Sequence, residues 1–187
     1  MPLPTLVVVS GPPGGFGKTT LAHEIARAVG CPAICRDEIK EGMVHANPGF
    51  VPGPGDPLTE RVFPLFFDVL AMLVGAGVSV VAEAAFQGPV WRPGLERLAR
   101  LADLRVLQCI VDPDIAHARN MQRAKENPLR RAAHGMRSAQ RSGEPRPYAY
   151  DPISMDAPVL HVDTTNGYRP ALPDIVAFAG GRHHVPG

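Results

Sequence analysis

Residues 10–20 read Ser-Gly-Pro-Pro-Gly-Gly-Phe-Gly-Lys-Thr-Thr and follow the apolar run Leu6-Val7-Val8-Val9. A buried strand that empties into a Gly-rich turn and then a helix is the frame of a phosphate-binding loop. The turn aims several backbone N–H groups at one point. Lys18 reaches the β- and γ-phosphates, and the Thr19 hydroxyl can ligate Mg²⁺. The helix opening near Lys18 adds the positive end of its dipole. Gly14, Gly15, Phe16, Gly17, Lys18, Thr19 and Thr20 are the expected contacts of a nucleoside triphosphate, with Thr20 toward the α-phosphate.

The loop is one residue longer than the G-x-x-x-x-G-K-[ST] pattern. Counting back from Gly17, the first glycine belongs at position 12, which is Pro; Gly11 stands one place too early. Gly15 or Phe16 therefore reads as an insertion, and the loop must bulge to hold it. The alternative is a Gly/Pro turn that binds nothing.

These residues need a sheet and helices to place them. The 187 residues suit one domain with a sizeable core, read as a single unit over 1–187. Strand and helix signals alternate: strands at Thr5–Ser10, Pro32–Arg36, Val78–Glu83, Leu104–Val111 and Val159–Asp163, helices at Lys18–Val29, Asp37–His45, Leu58–Val74, Pro93–Ala102, from Asp112 to about Glu126, and Leu172–Phe178. Such alternation predicts an α/β fold with a parallel sheet covered on both faces. Ligands of such sheets bind beyond the strand C-termini. That rule singles out the 11–19 loop, Asp37, Glu83, Asp112 and Thr164–Asn166. Asp112, followed by Pro113, reads most simply as a helix cap.

Charge and cysteine content narrow the partners. The formal net charge is +1, so no global field favours nucleic acid. Residues 119–146 carry eight Lys/Arg against two Asp/Glu, a local +6 on a body of −5, which points to a local anion site. Residues 127–150 are rich in Arg, Pro and Gly and read as a mobile flap. Cys31, Cys35 and Cys109 fit neither a zinc spacing nor a disulfide framework, so reduced thiols in a cytoplasmic protein are expected. The opening apolar run leads into the phosphate loop, so no signal peptide is expected, and the apolar stretch 62–76 is expected to be a buried helix rather than a membrane span. His183 and His184 lie in a Gly/Pro-rich tail read as disordered.

Gly11–Leu21, the segment Arg36-Asp37-Glu38-Ile39-Lys40-Glu41 and the stretch Asp163-Thr164-Thr165-Asn166-Gly167-Tyr168 resemble small P-loop kinases of the AAA_33 type, to which zeta toxins and chloramphenicol phosphotransferase are related. The resemblance covers nearly the whole chain. It implies a P-loop NTPase three-layer sandwich with sheet order 2-3-1-4-5 and an ATP-dependent phosphotransferase activity. It also implies an acid after the second strand that meets the acceptor hydroxyl, and an arginine-bearing lid over the phosphates. The lengthened loop departs from the family pattern.

Within that frame each residue acquires an expected task. Asp37, Lys18 and Arg123 are the expected catalytic groups: Asp37 orients the hydroxyl and accepts its proton, Lys18 and Arg123 neutralise phosphate charge. Arg119 and Arg123 stand one turn apart on one helix face, which suggests Arg119 on adenine and Arg123 on phosphate; Thr165 joins the nucleotide side. Glu83 takes the place of a Walker-B acid and is expected, with Thr19, at Mg²⁺. His45, Glu83, Phe86, Trp91, Arg130 and Asp37 are expected to meet the acceptor. Asp37 could instead merely cap its helix, and each aromatic could be packing. Three functions stay open: an ATP-dependent kinase of a small hydroxyl-bearing molecule, a polynucleotide 5′-hydroxyl kinase, and a nucleotide-binding module made weak by its lengthened loop. The acceptor-side segment 42–92 is not basic, which argues against nucleic acid. The acceptor, the choice of ATP over GTP and the oligomeric state are not fixed at this level.

Overall fold

In the computed structural model, which describes residues 2–53, 55–135 and 150–180, five parallel strands form one sheet in the order β2-β3-β1-β4-β5. The strands are β1 Thr5–Ser10, β2 Ala33–Cys35, β3 Val80–Glu83, β4 Asp103–Ile110 and β5 Val159–Asp163. Every neighbouring pair is parallel: Val9 stands beside Glu83 on one side and Leu107 on the other, and Cys35 stands beside Glu83. The observed order is the one implied by the resemblance. Parallel strands need crossovers, which the helices α1 Lys18–Val29, α2 Arg36–His45, α3 Pro57–Gly75, α4 Gly88–Ala99, α5 Pro113–Glu126, α6 Pro128–His134 and α7 Leu172–Ala179 help to supply.

The alternation along β1 divides the core. Leu6 and Val8 face a layer built on Phe66, Leu70, Leu95 and Leu98 of α3 and α4. Val7 and Val9 face Leu21 and Ile25 of α1 and Ile175 of α7. Successive side chains of a strand point to opposite faces, so the part of a strand buried on both sides is apolar at every position, as Leu6–Val9 of β1 are. Among the described residues no helix is long and apolar enough to cross a membrane.

The boundaries shift where caps were misjudged. Helix α2 begins at Arg36, with Cys35 in the cap position and no side-chain cap bond. Asp37 is therefore inside the first turn and does not cap the helix. Asp56, by contrast, caps α3 by accepting from Thr59 N at 2.8 Å. Helix α4 begins at Gly88 rather than Pro93, because Pro89 takes the N-terminal slot that Pro favours. Asp112 caps α5 as expected, accepting from Asp114 N and Ile115 N. Of the flap read at 127–150, residues 128–134 form α6; residues 136–149, and His183 and His184 with the tail, lie outside the described residues.

Candidate active site

The loop after β1 turns through left-handed glycines, with φ of +74° at Gly15 and +73° at Gly17. A side chain at Gly15 would be strained by its backbone, and its Cβ would overlap the carbonyl oxygen of Ala116 on α5. Gly15, one of the two candidates for the surplus residue, therefore does not bulge into solvent. It lays the loop against the helix that carries Arg119 and Arg123. The Phe16 carbonyl accepts from Thr164 Oγ1 at 3.1 Å, which ties the loop to the end of β5. Lys18 is buried, and its Nζ donates to Pro12 O at 2.7 Å, folding the ammonium back over the turn.

A cavity of about 180 Å³ opens at the C-terminal ends of β1, β2 and β3. Its floor is the loop from Gly14 to Thr19. Asp37, Glu83, Trp91, Arg123, Arg130 and His134 also line it. The strand-end rule thus selects residues that the fold does bring together. Thr19 Oγ1 donates to Glu83 Oε2 at 3.0 Å, so the two expected Mg²⁺ groups are neighbours. Glu83 is 4 % exposed. Burial pushes its carboxyl above the usual range with Asp37 adding to the push, against the opposing pull of Lys18, the Thr19 hydrogen bond and Arg130.

Asp37 has the opposite balance. Burial alone would raise its pKa, but the positive groups of His134, Arg130, Arg36 and Lys18 together hold it below the usual carboxylate value. Arg36 Nη1 donates to Oδ1 at 3.1 Å, and Arg130 Nη2 and His134 Nε2 lie 3.6 and 3.9 Å from Oδ2. Glu41, one turn further along α2, receives Arg130 Nη1 at 3.1 Å and has His134 Nε2 at 3.7 Å. Two i,i+4 pairs therefore face each other: Asp37 and Glu41 on α2, Arg130 and His134 on α6. That the pairs meet follows from the packing of α6 on α2 and could not be read from one chain segment. Arg36, Glu41 and His134 were missed as members of the site. The His134 Nε2 and Arg36 Nε atoms are buried without a hydrogen-bond partner.

The two arginines expected at the nucleotide differ from one another. Arg123 Nη2 donates to Thr20 Oγ1 at 3.2 Å and lines the cavity. Arg119 Nη2 donates to the carbonyls of Thr164 and Thr165, both at 2.9 Å, so the guanidinium braces the loop after β5. Thr165 Oγ1 in turn accepts from Asp112 N at 3.2 Å. Two expected acceptor contacts do not reach the cavity. His45 is exposed at the last position of α2. Phe86 is fully buried, with its ring 5.0 Å from Trp91 inside a cluster with Phe66. Its φ of +30° is a conformation bulky residues avoid. Ala84 and Ala85, just before that strained residue, line the cavity. Tyr150 was not anticipated: its hydroxyl is 2.8 Å from Ser10 Oγ and accepts from Gln108 Nε2 at 3.1 Å, which ties Tyr150 to β1 and β4.

Residues 6–143 match the model of the AAA_33 family, described as an AAA domain. No curated protein matches the chain. Among solved structures, a candidate kinase from Chloroflexus aurantiacus j-10-fl is similar at 20 % identity and a TM-score of 0.78, over 93 % of this chain and 95 % of that one. The Mycobacterium tuberculosis APS kinase CysC, in complex with AMPPNP and APS, is similar at 15 % identity and a TM-score of 0.61, over 95 % and 98 % of the two chains. A chain of the Pnkp1/Rnl/Hen1 RNA repair complex is similar at 18 % identity and a TM-score of 0.57, over 82 % of this chain and 49 % of that one.

Proposed function

Because the chain belongs to the AAA_33 family and shares its fold with P-loop kinases, we propose that it moves the γ-phosphate of ATP to a hydroxyl of a small organic acceptor. The observation that carries this reading is the placement of Asp37 in the same cavity as Lys18, Thr19 and Glu83. A phosphate loop alone makes a binding module. A carboxylate facing it across a confined space makes a place for a hydroxyl.

The residues fit a magnesium nucleotide. A turn of left-handed glycines, a buried lysine and a hydroxyl beside a buried carboxylate form a donor set for phosphate and a hard cation. Thr19 and Glu83 would hold Mg²⁺, which would supply neutralisation of phosphate charge. Lys18 and Arg123 supply positive charge where it develops on the transferred group. Phosphoryl transfer passes through a loose transition state, so proton removal comes late and positioning matters most. Asp37 suits that demand. It is held ionised, accepts a hydrogen bond from the acceptor hydroxyl, and takes the proton as the new oxygen–phosphorus bond forms and the bond to ADP breaks. Arg36, Arg130 and His134 hold its carboxylate in place.

The cavity also favours a small acceptor over a polynucleotide. It is confined and walled on one side by Trp91, Ala84 and Ala85. On the acceptor side Arg92 is engaged by Glu96 at 2.7 Å, leaving no run of free cations there to track a phosphate backbone among the described residues. A screen of small alcohols with ATP and Mg²⁺, read by mass gain of one phosphate and by ADP release, tests the proposal. Phosphorylation of a small alcohol that depends on Asp37 supports it. Transfer to 5′-hydroxyl RNA or DNA alone, or nucleotide binding without transfer to any acceptor, overturns it.

A further inference from the structure

A second cluster of chemistry-bearing side chains lies where α1, β2 and α2 meet and plays no part in the reaction proposed above. His23 of α1, Cys35 at the end of β2 and Glu38 of α2 place one ring nitrogen, one sulfur and one carboxylate oxygen within 4.8 Å of one another. The His23 Nε2 atom stands 3.8 Å from Cys35 Sγ and 2.7 Å from Glu38 Oε1. The cluster borders a groove of about 630 Å³ that runs on to Thr19 and Thr20 and is lined by Glu24 and Glu41 as well as by Arg27, Arg123 and Arg130. We propose that His23, Cys35 and Glu38 form a three-ligand site for a divalent metal ion, with zinc as the ion it suits best.

The donor set carries the choice of ion. Thiolate, imidazole and carboxylate together match zinc, which takes sulfur, nitrogen and oxygen ligands and tolerates three protein ligands with a fourth position open. Magnesium and calcium want oxygen alone. The geometry is close to what zinc requires. Tetrahedral bonds of about 2.3 Å to sulfur and about 2.0 Å to nitrogen separate those two atoms by about 3.5 Å, against the observed 3.8 Å. The same reasoning separates nitrogen and oxygen by about 3.3 Å. Glu38 is at a hydrogen-bonding distance instead and must draw back by a fraction of an ångström, which a half-exposed side chain can do. The groove leaves room for a water as the fourth ligand.

The electrostatics favour a cation at the cost of one proton. Cys35 is buried, and burial together with the carboxylates of Glu83, Glu38 and Asp37 holds its thiol protonated well above the ordinary value. Those negative charges that resist a thiolate are the ones that attract a dication. Coordination releases the thiol proton to water and replaces it by the metal–sulfur bond. The three ligands come from α1, β2 and α2, so an ion there would clamp α2, which carries Asp37 and Glu41, to α1, which carries Thr19.

Cobalt(II) titration of the full-length, reduced, metal-free protein tests this directly, without nucleotide or acceptor. One equivalent of Co²⁺ is expected to give a thiolate-to-metal charge-transfer band and the visible bands of a four-coordinate ion, both erased by one equivalent of Zn²⁺. The charge-transfer band distinguishes this site from Thr19 and Glu83, which offer only oxygen. Cys35→Ser should remove it, and Cys31→Ser and Cys109→Ser should keep it. His23→Gln and Glu38→Gln, made on half-exposed side chains with folding checked by circular dichroism, should weaken binding by more than about tenfold, the least that loss of even an outer-shell partner costs. Absence of a thiolate band in the wild-type protein, its survival in Cys35→Ser, or wild-type affinity in both His23→Gln and Glu38→Gln overturns the proposal.

Discussion

Arg130 Nη2 stands 3.6 Å from Asp37 Oδ2 while its Nη1 donates to Glu41 Oε1 at 3.1 Å, so one guanidinium of α6 spans two carboxylates of α2. This contact joins the candidate lid to the candidate acceptor-side acid. It makes the position of α6 part of the electrostatics of Asp37. A lysine could satisfy one of the two carboxylates but not both in this forked geometry.

Asp37→Asn is expected to leave nucleotide affinity within about twofold and to lower turnover by ~10²–10⁴, the range of a positioned proton acceptor. Lys18→Ala is expected to weaken nucleotide binding and turnover together. Calorimetric titration with ATP and Mg²⁺, beside steady-state ADP release, separates the two. Equal loss of nucleotide affinity in both variants would remove the division of labour between them.

Gly15→Ala is expected to destabilise the protein and to loosen the phosphate loop, because the new methyl group has no space against Ala116 O and the backbone is left-handed there. A cost of about 1–3 kcal/mol is the usual size of such strain. In a protein of this length that lowers the melting temperature by roughly 2–4 °C per kcal/mol. A variant that melts and binds ATP like the wild type would show that Gly15 is not seated on α5.

Removing one partner of the buried Lys40–Asp56 pair should cost about 3–5 kcal/mol, since the other charge stays behind unpaired. The pair is 2.9 Å apart, and Thr59 bonds both members. Burial works against the Asp56 carboxylate, but hydrogen bonds from Lys40 and Thr59 outweigh it and hold the pKa below the usual value. Its contribution to stability is therefore complete above the ordinary carboxylate pKa and is lost as pH falls through the lowered one. Asp56→Asn should flatten the acid limb of a melting-temperature profile; an unchanged limb would show that Asp56 does not shape it.

Glu83→Gln is expected to raise the melting temperature of the nucleotide-free protein while weakening Mg²⁺-dependent ATP binding. The amide keeps an acceptor for Thr19 and removes a buried charge that burial disfavours. Differential scanning fluorimetry with and without ATP and Mg²⁺ reads both effects. A lower melting temperature in the free protein would show that the ionised carboxylate stabilises the fold.

Local chemistry in the chain was enough to establish the phosphate loop, the alternation of strands and helices, and the placement of Lys18, Thr19, Asp37 and Glu83 at strand ends. Each is a short-range fact: a run of valines, a glycine turn, a carboxylate closing an apolar segment. Tertiary structure decided the rest. Only the packing of α6 on α2 brings Arg130 and His134 to Asp37 and Glu41, residues some ninety positions apart in sequence. Only the fold shows that Arg119 braces Thr164 and Thr165, that Phe86 is spent in the core, and that Gly15 rests on α5. Periodicity and motif spacing report on neighbours within a turn or a strand. Which two elements then meet is settled by burial of their faces against a shared core, a property that no single segment carries.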